Sequence, residues 1–350
     1  MSNKLWTPAA WLHNRWQENV LLEIDSAGHW QAITPNIPQP PDARATNGPI
    51  LPPLVDAHSH AFQRAMAGGA ETRDSESDDF WSWREAMYAV ALSISPEELK
   101  RVATRLYREL LRGGYTQVCE FHYLQHQPDG QPYADELTMA WALVEAAQEV
   151  GIGITMLPVL YAHQGFGSKG LKDTQRRFKT DADWVFNAQR RINSQRSSTV
   201  NAGVALHSLR AAHPEDITAL MKQIGDQDLP IHIHVAEQTG EVRDCLVHTG
   251  QRPIEWLCKQ QGLDARWQLV HATHAEAEEI ELIARQGAGV VICPTTEANL
   301  GDGLAPLTGY LDAGVPLTVG SDSEVGREWR EELRWLEYGQ RLVKRQRNVA

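Results

Sequence analysis

Residues 95–121 read SPEELKRVATRLYRELLRGGYTQVCEF, and the unit that sets the fold lies within them. Ser95 followed by Pro96, Glu97 and Glu98 is a capping box with proline at the first helical position. Leu99, Val102, Ala103, Leu106, Leu110 and Leu111 then recur at helical spacing, and Gly113-Gly114 supplies the stop. Thr116 to Phe121 follows at once and reads as a strand. A helix that passes directly into a strand is half of a βα repeat.

Working outward, seven more strand-like runs alternate with helical patterns: Ile50 to Ala57, Ile152 to Tyr161, Gly203 to His207, Pro230 to Ala236, Gln268 to His271, Gly289 to Cys293 and Val315 to Gly320. A second helix, Met139 to Val150, stops at Gly151, and Leu333 to Leu342 reads as the helix after the last strand. Eight such strands predict an α/β fold of the (β/α)8 TIM-like barrel type over residues 51–350, in preference to an open sheet. Before it, Trp16 to Ile24 and His29 to Ile33 flank the turn Asp25-Ser26-Ala27-Gly28, and a Pro-rich link runs from Pro35 to Pro41. Residues 1–50 are thus expected to be a small β appendage, incomplete because no later β segment returns to it.

A chain of 350 residues with 42% hydrophobic and 22% charged residues can bury a large core. Its formal charge of -12 disfavours nucleic acid and anionic membranes as partners. Cys119, Cys245, Cys258 and Cys293 show no paired spacing, which excludes a disulfide framework and a thiolate zinc knuckle and suits a reducing cytosol. No apolar run is long enough to span a membrane, and the first 25 residues lack the clean apolar stretch of a signal peptide. The expectation is a cytoplasmic protein.

The chemistry-bearing residues sit at strand ends. His58 and His60 close the first barrel run, and alternation points both the same way. His232, His234 and Glu237 close the fifth; His234, nearer the C-terminal end, is the candidate ligand, and His232 reads as a core histidine. His271 closes the sixth run and Asp322 the eighth. Helix caps favour Ser, Thr, Asp and Asn, so histidines at several strand ends point instead to Zn²⁺ or Fe²⁺ with an open water position. Gly165-Phe166-Gly167-Ser168-Lys169-Gly170 matches a dinucleotide fingerprint in letters only. Ala162-His163-Gln164 separates it from the strand and no apolar helix follows, so it reads as a mobile loop. There is no phosphate-cradling GxxxxGK[ST] segment and no GxSxG elbow.

The segment His58 to Gly68 resembles the amidohydrolase superfamily, as do Trp81-Ser82-Trp83-Arg84, Glu120 to Tyr123, His207 to Arg210, His232 to Gln238, Leu269 to His274, Cys293 to Gly303 and Glu332 to Gln340. The resemblance runs the whole length of the chain and is strongest to the subgroup that acts on an N-formimidoyl amino acid. It implies zinc held by His58, His60, His234 and Asp322, and acid-base or polarising roles for Glu237, His271 and Asp322. It also implies substrate contacts from Gln63, Arg84, Tyr123, His207 and Arg210. The implied reaction converts N-formimidoyl-L-glutamate to N-formyl-L-glutamate and ammonia in histidine degradation. The small dicarboxylate would be the only partner besides a second copy in a homodimer. Another deaminase, of an aromatic base or nucleoside, is the alternative within the class, and a shortened, non-catalytic zinc-binding chain the alternative outside it. Leu206, Pro53 and Glu324 depart from the subgroup, which commonly has Pro, Gly and His there. Members usually continue further, so a C-terminally shortened chain is expected.

Overall fold

Residues 1–54 and 55–350 form two compact units in a computed structural model that describes residues 3–26, 28–69 and 80–350, without the side chains of Phe80, Trp81 and Ser82. Ala27 of the expected turn and the Trp81 and Ser82 side chains of the quoted motif therefore lie outside the described residues. The first unit is a sheet of β1 (Lys4–Leu12), β2 (Arg15–Ile24), β3 (Trp30–Thr34) and β4 (Arg44–Ala45), in the order β3-β2-β1-β4. Ala10, Val20 and Leu22 form its small core. β1 was not expected, because Pro8 breaks the run with a residue that cannot donate to a ladder. The sheet accommodates it at a break in pairing between Thr7↔Val20 and Ala9↔Glu18, where Asn19 takes a positive φ of 49°.

In the second unit each of the eight sequence runs becomes a strand. β5 (Leu54–Ser59), β6 (Tyr115–His122) and β7 (Gly153–Leu160) are followed by a short β8 (Val200–Ala202), which pairs with β7 beside the main path. β9 (Val204–Ser208), β10 (Ile231–Val235), β11 (Trp267–His271), β12 (Gly289–Ile292) and β13 (Leu317–Val319) complete the series. Strand order along the path is β13-β12-β11-β10-β9-β7-β6-β5. The two ends meet where Ser59 and Asp322 form a parallel bridge, Asp322 N–H donating to His58 O at 2.9 Å. The result is a nearly closed eight-stranded parallel barrel.

Helices α1 (Phe80–Ser93), α2 (Pro96–Gly113), α3 (Thr138–Val150), α4 (Ala182–Asn193), α5 (Pro214–Ile224), α6 (Thr239–Thr249) and α7 (Pro253–Gln261) connect the strands up to β11. Beyond it come α8 (Ala277–Gln286), α9 (Pro294–Leu300), α10 (Leu307–Ala313) and α11 (Trp329–Lys344). α2 starts and stops as its sequence dictates: Ser95 Oγ accepts from Glu98 N–H, the Glu98 side chain accepts from Ser95 N–H, and Gly114 caps the end at φ 98°. Leu99, Ala103, Leu106 and Leu110 are fully buried, whereas Leu111 lies on the exposed side. The segment with the dinucleotide-like letters is a loop without strand or α-helix, and it runs into a 3-10 helix at Asp173–Phe178.

β10 shows how the barrel aims its polar residues. Ile231, Ile233 and Val235 pack into the apolar layer between strands and helices, together with Ile217, Leu220, Ile254, Leu257 and Ile283. Strand alternation then turns His232 and His234 to the inside. Ala57, Val270, Val291 and Cys293 make a second, inner cluster. No helix among the described residues is long and apolar enough to cross a membrane.

Candidate metal centre and substrate pocket

His58 and His60 project from the end of β5, His234 from the penultimate position of β10, and Asp322 from the turn after β13. Their ligand atoms converge. His58 Nε2 lies 3.1 Å from His60 Nε2 and 3.0 Å from His234 Nε2, and the His60 and His234 Nε2 atoms are 3.4 Å apart. Asp322 Oδ1 is 3.3 Å from His58 Nε2 and 3.2 Å from His60 Nε2. A tetrahedral ion with bonds of about 2.0–2.1 Å needs ligand atoms about 3.3–3.4 Å apart, so the four residues fit a divalent metal.

The proton positions argue the same way. His60 Nδ1 donates to Phe121 O and His234 Nδ1 donates to His207 O, each at 2.8 Å. A carbonyl can only accept, so both rings carry their proton on Nδ1 and turn a bare Nε2 lone pair to the centre. Burial holds His58 down to about 3 and His234 well below its usual range, so both rings stay neutral and neither brings a positive charge to the centre. Burial would raise the Asp322 carboxyl, yet its contacts to His58 and His60 hold it well below the ordinary carboxylate range. Converging lone pairs and one carboxylate call for a cation.

Close approach of the closing strands depends on Gly320. A Cβ there would stand 2.7 Å from His58 Cβ and 2.8 Å from His58 O. Just beyond it, Asp322 adopts φ 50°, a left-handed conformation that a side chain holds only when the surroundings enforce it. His271 at φ 67° and Ala272 at φ 46° repeat the feature after β11. By alternation His271 would share the outward face of Leu269; the left-handed turn swings it toward the centre instead.

Around that centre, His271 Nε2 lies 3.7 Å from Glu237 Oε1 and 3.8 Å from Asp322 Oδ2, while its Nδ1 is 3.3 Å from Glu297 Oε1. Burial disfavours charge on His271, but Glu237, Glu297 and Asp322 outweigh it and raise the imidazolium to about 10. Glu237 itself is set by Glu241, whose carboxylate accepts from the backbone N–H groups of Ala236 and Glu237 at 3.1 and 3.3 Å. His232 is buried inside the barrel, kept neutral by burial with its pKa lowered to about 3, and is not among the converging ligands.

One pocket connects this centre to the expected substrate residues. His60, His234, Glu237, His271 and Asp322 line one end, and Gln63, Arg84, Tyr123, His207 and Arg210 line the rest. Gln63 Nε2 donates to the Tyr123 hydroxyl at 3.1 Å, and the His207 ring lies 5.2 Å from His234. Arg210 Nε is buried without a hydrogen-bond partner among the described residues. The structure therefore brings the sequence-predicted site residues together: all but His58 line one cavity, and His58 is fully buried among the converging ligands. The structure also adds Tyr88, Tyr161 and Phe178 to the lining, and behind His271 it adds Glu297, which stands in the quoted block Cys293 to Gly303 but has no strand-end position to betray it.

Beneath the ligands, Glu324 occupies the place where histidine was expected. Its carboxyl accepts from Ser59 Oγ at 2.8 Å and from His60 N–H at 3.2 Å. It shares a buried polar cluster with Asp56 and Glu120, and burial raises both of these to about 7.

The family described as "Amidohydrolase family" matches residues 50–349. Formimidoylglutamate deiminase of Pseudomonas aeruginosa is 45% identical over 97% of this chain and 75% of its own length. A 5-methylthioadenosine/S-adenosylhomocysteine deaminase of Natronomonas pharaonis is 30% identical over 78% of this chain and 57% of its own. Among solved structures, an amidohydrolase from Brucella melitensis superposes with a TM-score of 0.93 at 43% identity, covering 99% of this chain and 77% of that one.

Proposed function

The chain belongs to the amidohydrolase family, and from that membership and the geometry of its pocket we propose that it is a zinc-dependent deiminase of N-formimidoyl-L-glutamate. The observation that carries the substrate is the pairing, in one cavity, of a four-ligand metal centre with two arginines, Arg84 and Arg210. Arginine presents a planar fork that matches a carboxylate, and a dicarboxylate gives two such forks work to do. The nitrogen and oxygen donors of His58, His60, His234 and Asp322 suit zinc.

A divalent ion held by these residues would make a water acidic enough to act as a nucleophile near neutral pH. The chain's own groups do the rest. Asp322 turns Oδ1 to the histidines and Oδ2 toward His271, so Oδ2 is the acceptor for the proton that the attacking water sheds. Glu237 stands beside His271 and delivers a proton to the imine nitrogen of the formimidoyl group. His271, kept protonated among its acidic neighbours, donates to the oxygen that water brings to the carbon and so steadies the tetrahedral intermediate. The intermediate's hydroxyl then gives its proton to the Glu237 carboxylate, which passes it to the amino nitrogen. The carbon–nitrogen bond breaks, ammonia leaves, the proton on Asp322 replaces the one Glu237 first gave up, and N-formyl-L-glutamate remains, a step of histidine breakdown. Gln63, Tyr123, His207 and Arg210 hold the substrate with its formimidoyl carbon toward the ligands.

The test is ammonia release from formimidoylglutamate measured beside guanine and adenosine. The proposal expects turnover of the first and little of the others. Faster release from guanine or adenosine would replace it with a base or nucleoside deaminase on the same centre.

A further inference from the structure

Gln175 lies in the 3-10 helix at the end of the loop after β7, and it is fully buried. The backbone N–H of Lys172 donates to its Oε1 at 3.0 Å. A backbone N–H can only donate, so this bond decides which end of the amide is oxygen and turns the NH2 group the other way. There Gln175 Nε2 donates to the Tyr161 hydroxyl at 2.9 Å and to the Tyr88 hydroxyl at 3.2 Å. The Tyr88 hydroxyl accepts a second bond, from Arg84 Nε at 2.6 Å.

A phenol oxygen has two places to accept and one proton to give. Both accepting places on Tyr88 are taken by groups that can only donate. Tyr161 has one place left. Even if the Tyr88 proton goes there, the Tyr161 proton has no acceptor within the group of four. The cluster therefore presents at least one phenolic proton outward, beside the Arg84 guanidinium, and Arg84, Tyr88 and Tyr161 all line the pocket. Arg177, two residues after Gln175, donates to Ala91 O at 2.5 Å and Ile94 O at 2.9 Å near the end of α1, the helix that carries Arg84 and Tyr88. The same short segment thus orients the hydroxyls and anchors the helix beneath them.

We infer that Tyr88 and Tyr161 are anion-binding residues that hold one carboxylate of the substrate together with Arg84, and that Gln175 is the positioning residue that leaves at least one of their phenolic protons to be donated toward it. The inference rests on the dicarboxylate reading above, and adds to it a wall of the pocket built only from donors.

The experiment titrates glutarate, which has two carboxylates and no formimidoyl group, into the zinc-loaded protein and compares Tyr88→Phe, Tyr161→Phe and Gln175→Glu with the wild type. Steady-state kinetics on formimidoylglutamate accompany it. Glutarate binds the wild type, and each phenylalanine variant weakens binding about tenfold, the usual scale for a hydrogen bond to a charged group. Gln175→Glu keeps the shape but draws the phenolic protons onto itself; it weakens glutarate about 100-fold and raises KM, with metal content unchanged and kcat within about threefold. The phenylalanine variants keep both rings and decide the matter if Gln175→Glu does not fold. Failure of the wild type to bind glutarate, variants that bind it as the wild type does, or a parallel loss of kcat, metal and binding would overturn the inference. Weakened glutarate binding in the variants with no turnover of formimidoylglutamate by the wild type would leave the donor wall standing and remove the proposed reaction.

Discussion

Glu237 and Arg210 face the same cavity, yet their proposed duties separate cleanly. Glu237 is proposed to move a proton and to hold no metal, so Glu237→Gln should lower kcat by about 10²–10⁴-fold while zinc content, read by elemental analysis, stays at the wild-type level. Parallel loss of metal would make Glu237 a ligand. Arg210 has a buried Nε with no partner among the described residues, and a substrate carboxylate would satisfy it. Arg210→Met should cost kcat/KM for formimidoylglutamate about 2–5 kcal/mol, the scale for stranding a desolvated charge, with no change in metal. Unchanged kcat/KM would remove Arg210 from the site. His58, His60, His234 and Asp322 could be singled out in the sequence because polar residues, most of them histidines, close several buried runs at once, which capping does not explain, while the ligand set itself came from the resemblance. Tyr88 and Gln175 could not, since α1 and the 3-10 helix meet only through the fold and neither residue carries a local pattern.

The elements that hold the centre are the strand ends, above all the seam between β5 and β13. There Ser321 donates from N–H and Oγ to the two oxygens of Asp56 at 2.9 and 2.6 Å, and Gly320 passes so close to His58 that no side chain fits. Gly320→Ala would press a methyl group against the His58 backbone, a contact that cannot be relieved by turning a flexible side chain. It should destabilise the protein by about 1–3 kcal/mol, seen in denaturant unfolding, and lower zinc occupancy at the same time. Wild-type stability with full occupancy would show that the seam is slack. At this scale the strands of the barrel were readable from period and punctuation, and β1 was not, because Pro8 breaks the run and only pairing with β2 makes it a strand. The left-handed turns at His271 and Asp322 were equally hidden, since neither residue type announces a positive φ.

For the molecule as a whole, a formal charge of -12 opposes an anionic substrate at long range, and the pocket answers with a local arrangement. Glu237 and Asp322 stand at its metal end, and its other lining residues include Arg84, Arg210, Tyr88 and Tyr161, the groups proposed to meet the carboxylates. Held by the four candidate ligands from the end of β5, β10 and the turn after β13, an ion would also brace the barrel, since it would bind only the folded chain. The most direct test strips the protein with a chelator and follows ammonia release from N-formimidoyl-L-glutamate as zinc is titrated back. Activity should be absent in the stripped protein and rise to a plateau at one equivalent per chain. Full activity without metal, or none at one equivalent in a protein that is folded and has bound its zinc, would contradict metal-dependent deimination at this centre.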